Sequence, residues 1–227
     1  MVLLRRWLKA HWLSVVAHVG ALVPLGQLGA GVFGGFRLDP VGQATALTGR
    51  AALALLLLSL SCTPLAIITG YRAVMRVRRA LGLYAFLYAG LHLLVFVGWD
   101  YRFAWRLLGP ALVGQRFIVA GLVAFLILLP LALTSTRGWQ RRLGAGWRWL
   151  HRAVYAAAVL AALHLIWLKK DWSEALGPTL GLALLLALRL PPVRAAVENA
   201  RARLSGHRGR IPETLADTEG ADARGEQ

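Results

Sequence analysis

Six long stretches of this 227-residue chain carry no Asp, Glu, Lys or Arg: 10–36, 51–71, 80–99, 117–136, 153–168 and 175–188. A helix needs about 20 apolar residues to cross a bilayer core, so each stretch reads as one span. The last two are short and reach across with snorkelling flanks or a locally thin bilayer. The runs are Leu- and Ala-rich without the alternation that marks strands. Pro24, Pro64 and Pro130 fall within or near the ends of spans and predict local kinks. Pro178 predicts the first turn of the sixth helix. The expected fold is an all-α integral membrane protein, a six-transmembrane-helix bundle.

Composition settles what the charges are for. The chain is 58% hydrophobic and 16% charged, yet its formal charge is +16. Nucleic-acid binding would account for the basicity but not for the apolar excess, so no nucleic-acid partner is expected; the surrounding partner is membrane lipid. The cations instead report orientation. With the N-terminus placed in the cytoplasm, nineteen of the 26 fall inside, at 5–9, 72–79, 137–152 and from Arg189 onward. Outside stand Arg37, Arg50, Arg102, Arg106, Arg116, Lys169 and Lys170, beside Asp39, Asp100, Asp171 and Glu174. All nine tryptophans lie at span ends, where an interfacial aromatic belt belongs. Both termini are therefore expected to be cytoplasmic.

Residues 1–190 are expected to form one membrane domain. The Arg5/Arg6-led first run is read as a retained span, since it is long for a signal peptide and lacks a clean A-x-A site. Residues 191–227 form a tail, with a short surface helix over 195–204 and disorder beyond Ser205. Cys62 is the single cysteine, so no structural disulfide is expected.

Six histidines carry the chemistry: His11, His18, His92, His151, His164 and His207. Ionisable groups within a span are costly and mark functional sites. The third and fifth spans run in the same direction, and His92 and His164 share a depth in the outer half. Two neutral imidazoles at one depth on neighbouring helices can hold a haem iron from both faces. The bland alternative is interhelical hydrogen bonding. No span contains a carboxylate, which excludes a di-iron carboxylate site and weighs against proton pumping. The lack of H-E-x-x-H and of a cysteine pair weighs against zinc hydrolysis. His18 is a candidate ligand or quinone contact in the inner half, while His11 and His207 read as interfacial.

His151 precedes His164 by thirteen residues, a rise of about 20 Å on an ideal helix. The offset of about 140° means that a straight helix would not present both rings to one groove. Either the helix is kinked or His151 faces another neighbour. The residue thirteen before His92 is Arg79, so a symmetric second bis-histidine site is absent.

Three segments carry a resemblance: DPVGQATALTGRAALALLLLSLSCTPL, RRALGLYAFLYAGLHLLVF and LALTSTRGWQRRLGAGWRWLHRAVYAAAVLAALHLIW. Together they resemble the MsrQ (YedZ-type) family, haem-binding membrane subunits of bacterial periplasmic protein-methionine-sulfoxide reductase systems, within the ferric-reductase-like transmembrane superfamily. The likeness covers about residues 7–190; 134–164 and the Thr48-Gly49-Arg50 turn are its most specific parts. It implies haem b, with His92, His151 and His164 matching the family's haem-associated histidines, and location in the bacterial inner membrane. It also implies electron flow from the quinone pool, or through a flavin or flavin reductase, to a periplasmic molybdenum-containing catalytic subunit that reduces methionine sulfoxide in oxidised proteins. The family further implies FMN, for which no phosphate-cradling loop is found; the nearest cationic candidates are 72–79 and the outer arginines. Larger superfamily members append a flavin and nicotinamide domain, whereas the roughly 37 residues expected after the last span here hold no G-x-G-x-x-G, so the reductant is expected to be lipid-borne or another protein.

The expected working parts are thus His92 and His164 as axial ligands and His151 at an inner haem or flavin-proximal site. Arg50, Arg102 and Arg106 would meet haem propionates or the partner. The chain is expected to act as an electron-transfer subunit rather than a complete enzyme. The competing readings are a stand-alone metal-chelate or quinone reductase of the same superfamily, and a non-redox transporter or assembly factor.

Overall fold

The computed structural model describes residues 2–35, 39–169, 172–197 and 199. Among them every regular element is helical. Helix α1 spans Val2–Gly34 and α2 spans Pro40–Thr69. After a tight turn at Arg72–Val74, α3 runs over Met75–Leu94 and widens into i→i+5 turns over Val95–Asp100. Short α4 (Trp105–Gly114) precedes α5 (Arg116–Leu133). Two short helices follow, α6 (Arg137–Leu143) and α7 (Ala145–Leu150), and a tight turn at His151–Ala153 leads into α8 (Val154–Leu168). Last comes α9, Trp172–Ala187.

Five of these segments are long and apolar enough to cross a membrane: His11–Gly34, Pro40–Thr69, Arg72–Asp100, Arg116–Leu133 and Ala145–Leu168. A sixth span arises if Trp172–Ala187 and Pro191–Val197, bent by 81° to each other, count together. The chain is a multi-pass helical membrane protein. Helix α2 starts eleven residues before the charge-free stretch that announced it. Asp39 caps it, accepting the Gly42 N–H at 2.9 Å, and Pro40 occupies the first turn, where its missing N–H costs nothing. Arg50 therefore lies inside a helix rather than in a loop. Pro178 likewise sits within α9, not in its first turn, because α9 already begins at Trp172. The tail helix begins earlier than expected, at Pro191; residues 198 and 200–227 lie outside the described residues, and with them the expected disorder beyond Ser205.

Two antiparallel pairings, α2 with α3 and α5 with α8, form the body of the bundle. The first helix packs on α2 and α3, and α9 on α8 and α2. Small residues bring the axes together: Ala44, Ala85, Ala157 and Ala158 are almost wholly buried. Close packing of small side chains is what holds helices together where lipid offers no hydrophobic gain. Large apolar side chains such as Phe33, Leu126 and Leu184 point outward, as a lipid-facing surface requires.

Polar ties are few and specific. Fully buried Tyr88 on α3 donates its hydroxyl to the Ala21 carbonyl of α1 at 2.5 Å. Ser59 on α2 donates to the Arg78 carbonyl of α3 at 2.9 Å. Arg189 lies across the first turn of α8, donating to the Tyr155 hydroxyl and to the Leu60 carbonyl of α2, with its guanidinium over the Tyr155 ring. Because the Ala21 carbonyl is also placed to accept along its own helix, Tyr88→Phe is expected to cost only about 0.5–1.5 kcal/mol. A small drop in the midpoint of detergent unfolding would show it.

Candidate functional site

Within this frame α3 and α8 run in the same direction, each antiparallel to its partner. Their last full turns bring His92 and His164 together, with ring centroids 6.0 Å apart and ring planes at 90°. Each imidazole is fixed by the helix behind it. The Nδ1–H of His92 donates to the Thr45 carbonyl of α2 at 3.0 Å, with the Thr48 hydroxyl at 3.5 Å. The Nδ1–H of His164 donates to the Phe117 carbonyl of α5 at 2.6 Å. A carbonyl can only accept, so each neutral ring carries its proton on Nδ1 and keeps its lone pair on Nε2. This is the tautomer a metal-ligating histidine with a backbone partner adopts.

Space for the rings comes from two glycines. A Cβ on Gly49 would stand 3.1 Å from Cε1 and Nδ1 of His92. A Cβ on Gly121 would stand 2.7 Å from Nδ1 of His164 and 3.0 Å from its Cε1. Both glycines lie four residues, one helical turn, beyond the accepting carbonyl. The same 47 residues separate each histidine from its acceptor. A single shift along the chain therefore carries Thr45, Gly49 and His92 onto Phe117, Gly121 and His164. The site is assembled from two equivalent helical hairpins, each lending one imidazole.

This donor set suits a porphyrin-bound iron. A metal–imidazole bond is about 2 Å long, which puts the ring centroids of two imidazoles on one metal about 6 Å apart. Among the described residues no three His, Cys, Asp or Glu side chains gather as a metal site. Two imidazoles alone are too few for structural zinc, but they complete an iron whose other four positions a porphyrin fills.

The other sequence candidates lie apart from the pair. His151 sits in the turn between α7 and α8, stacked on Trp147 with ring centroids 4.0 Å apart. Its Nδ1 is 3.1 Å from the Trp147 carbonyl and its Nε2 3.2 Å from the Leu131 carbonyl. The break at His151–Ala153 removes the straight-helix problem, and His151 faces α5. On the neighbouring hairpin the equivalent residue, Arg79, donates from Nε to the Ser135 hydroxyl at 3.2 Å. His18 on α1 meets the Tyr84 hydroxyl through Nδ1 at 2.9 Å. Arg50 is exposed and lines a cavity of about 470 Å³ between α1 and α2, with Gln27, Asp39 and Gln43. Arg102 and Arg106 are exposed around the turn into α4, and His207 lies outside the described residues.

Sequence reasoning did not single out Thr45, Phe117 and Gly121. Their signal was a residue followed four positions later by glycine, once on α2 and once on α5, and it gains meaning only when the opposing histidines are in place.

Fold and site together define a multi-pass helical membrane protein with a paired-imidazole centre. Residues 48–162 match the family described as ferric reductase like transmembrane component. The chain is 43% identical over 192 residues to the protein-methionine-sulfoxide reductase heme-binding subunit MsrQ of Rhodospirillum rubrum, covering 83% of this chain and 92% of that protein. It is 40% identical over 165 residues to the subunit of the same name from Xanthomonas euvesicatoria, covering 70% and 76%. No solved structure matches. The chain belongs to the MsrQ family of ferric-reductase-like transmembrane proteins.

Proposed function

We propose that this chain is a haem b electron-transfer subunit of the bacterial inner membrane. It passes electrons from the respiratory quinone pool, or from a flavin donor, to a periplasmic molybdenum-dependent methionine-sulfoxide reductase. The observation that carries this reading is the His92–His164 pair, 6.0 Å apart and held with both Nε2 atoms free. The name of the relatives, heme-binding subunit of a methionine-sulfoxide reductase, points the same way.

Bound haem supplies a one-electron iron centre at this position. The chain supplies the rest. His92 and His164 would hold the iron, and the Thr45 and Phe117 carbonyls would raise their basicity and lock their orientation. Gly49 and Gly121 let the rings lie against α2 and α5. Arg50, one residue beyond Gly49, would pair with the propionate carboxylates. His151 serves the inner end of the path, at a second haem or an FMN. Reducing a sulfoxide to the thioether takes two electrons and two protons and releases water; a quinol gives up two of each on oxidation, so the stoichiometry closes. The excess of cations at the 72–79 and 137–152 end supports a cytoplasmic position for that end and, with six spans, for both termini. His92 and His164 then lie toward the periplasm, within the 1–190 membrane domain, with the tail from 191 outside it.

The test is reconstitution of the purified chain in lipid nanodiscs. A reduced-minus-oxidised haem spectrum is expected on adding a quinol, followed by reoxidation that needs both the soluble reductase subunit and a methionine-sulfoxide substrate. A colourless preparation sinks the proposal. Reoxidation by a ferric chelate alone, with none through the soluble subunit, would make the chain a stand-alone reductase.

A further inference from the structure

At the His92–His164 end of the bundle a cavity of about 270 Å³ is lined by Gly114, Gln115, Arg116, Phe117 and Trp167. Its floor is the wall of the histidine site. Phe117 gives its carbonyl to His164 Nδ1 at 2.6 Å and holds its ring 5.9 Å from that imidazole, and Trp167 stands three residues beyond His164 on α8. Below about 300 Å³ a cavity is small for a cofactor, but it admits one or two protruding side chains of another protein. Helix α4, which reaches the cavity at Gly114, buries only Leu108 and leaves Trp105 70% and Val113 90% exposed.

Arg102, Arg106 and Arg116 are exposed, and among the described residues no carboxylate pairs with them; the one ion pair nearby is Lys169 with Glu174. The backbone leading into α4 is also forced. Arg102 and Phe103 adopt left-handed φ values of 46° and 57°, a conformation that costs a non-glycine residue about 1–3 kcal/mol and persists only where the surroundings impose it. Phe103 N–H to the Val97 carbonyl at 2.9 Å, and Ala104 N–H to the Tyr101 carbonyl at 2.8 Å, impose it here.

We propose that this cationic, aromatic rim and its cavity are the docking surface through which the electron leaves, and that its occupant is an acidic patch on the soluble catalytic subunit. The inference rests on the electron-transfer reading above. Free guanidinium groups beside a cavity lined by Phe117, the residue that holds His164, suit an anionic protein surface, which they attract at long range and orient for contact. The aromatic rings supply the desolvated centre that protein interfaces favour.

The test compares the full haem-loaded chain with an R106E/R116E double variant in zwitterionic nanodiscs. The probe is the purified soluble reductase subunit that pairs with the Rhodospirillum rubrum relative. At low ionic strength the variant is expected to bind it at least tenfold more weakly. Added salt should weaken the unsubstituted chain and scarcely affect the variant. The haem spectrum and reoxidation by a small neutral quinone should stay unchanged. An R141E/R142E variant at the opposite end should bind as the unsubstituted chain does. Unchanged affinity in R106E/R116E, or an equal loss in R141E/R142E, overturns the docking surface. So does a defect that appears only in discs of anionic lipid, since the arginines would then be addressing headgroups. If the unsubstituted chain passes no electrons to the subunit, the functional reading fails and the docking surface falls with it.

Discussion

His164→Ala is expected to strip the chain of its bis-imidazole haem spectrum, with haem bound per protein falling to a small fraction of the unsubstituted level. Changing a residue that merely orients a metal ligand costs about 10–100-fold in affinity, and here the ligand itself goes. The Phe117 carbonyl loses its side-chain donor as well, a further cost of only about 0.5–1.5 kcal/mol because it still accepts along α5. His92→Ala should do the same through Thr45. The double variant should be scarcely worse than either single one, because residues that act on one centre are not additive. His164→Gly opens the ring's own volume, so added imidazole is expected to restore much of the spectrum. His18→Ala, which loses only the Tyr84 contact, should keep it. Visible spectra and haem-to-protein ratios of purified variants decide the matter; bands that persist in the double variant would exclude the pair as ligands.

The pair was legible because depth along a span can be counted from its ends, and because α3 and α8 run the same way. Residues that share a depth on parallel neighbours meet. The spans were legible for a related reason: lipid permits few charges, so the gaps between charges trace the helices. The same reasoning misplaced the start of α2, since it treated Arg50 as a boundary. A long side chain that opens into a cavity beside Gln27, Asp39 and Gln43 can sit inside a helix with polar neighbours at its tip. Helix α4 went unseen because its ten residues are too few to span and lie between charges that read as a loop. His151 was legible as a problem but not as an answer. Its angle relative to His164 is set by the helix break at 151–153, which nothing in the local composition announces.

The carbonyl and glycine partners of the histidines were hidden for a deeper reason. Each lies 43 or 47 residues from the ring it serves, on a helix chosen by packing rather than by proximity in the chain. Once α2 pairs with α3 and α5 with α8, the equivalence of the two hairpins is plain. It also explains why the second end of the bundle differs. The position equivalent to His151 is Arg79, which binds Ser135 instead of offering a ring nitrogen.

That equivalence is not perfect, and the difference has a consequence. Gly121→Ala is expected to weaken haem binding by about 10–100-fold, whereas Gly49→Ala is expected to leave most of it intact. At Gly121 the added methyl would stand 2.7 Å from Nδ1 of His164, closer than such atoms approach, so the ring must move. Its freedom to move is small, because that same nitrogen is held 2.6 Å from the Phe117 carbonyl by the helix that carries the methyl. Relief therefore means breaking the hydrogen bond or turning the imidazole away from its place opposite His92, on top of about 1–3 kcal/mol of overpacking. At Gly49 the methyl would meet His92 at 3.1 Å. A shift of a few tenths of an ångström relieves that contact, and the 3.0 Å bond to Thr45 can lengthen to allow it. Haem titration of the two variants, with the reduction potential of whatever remains bound, reads the order directly. Equal retention of haem in both, or a greater loss from Gly49→Ala, would mean that the glycines do not set the position of the rings.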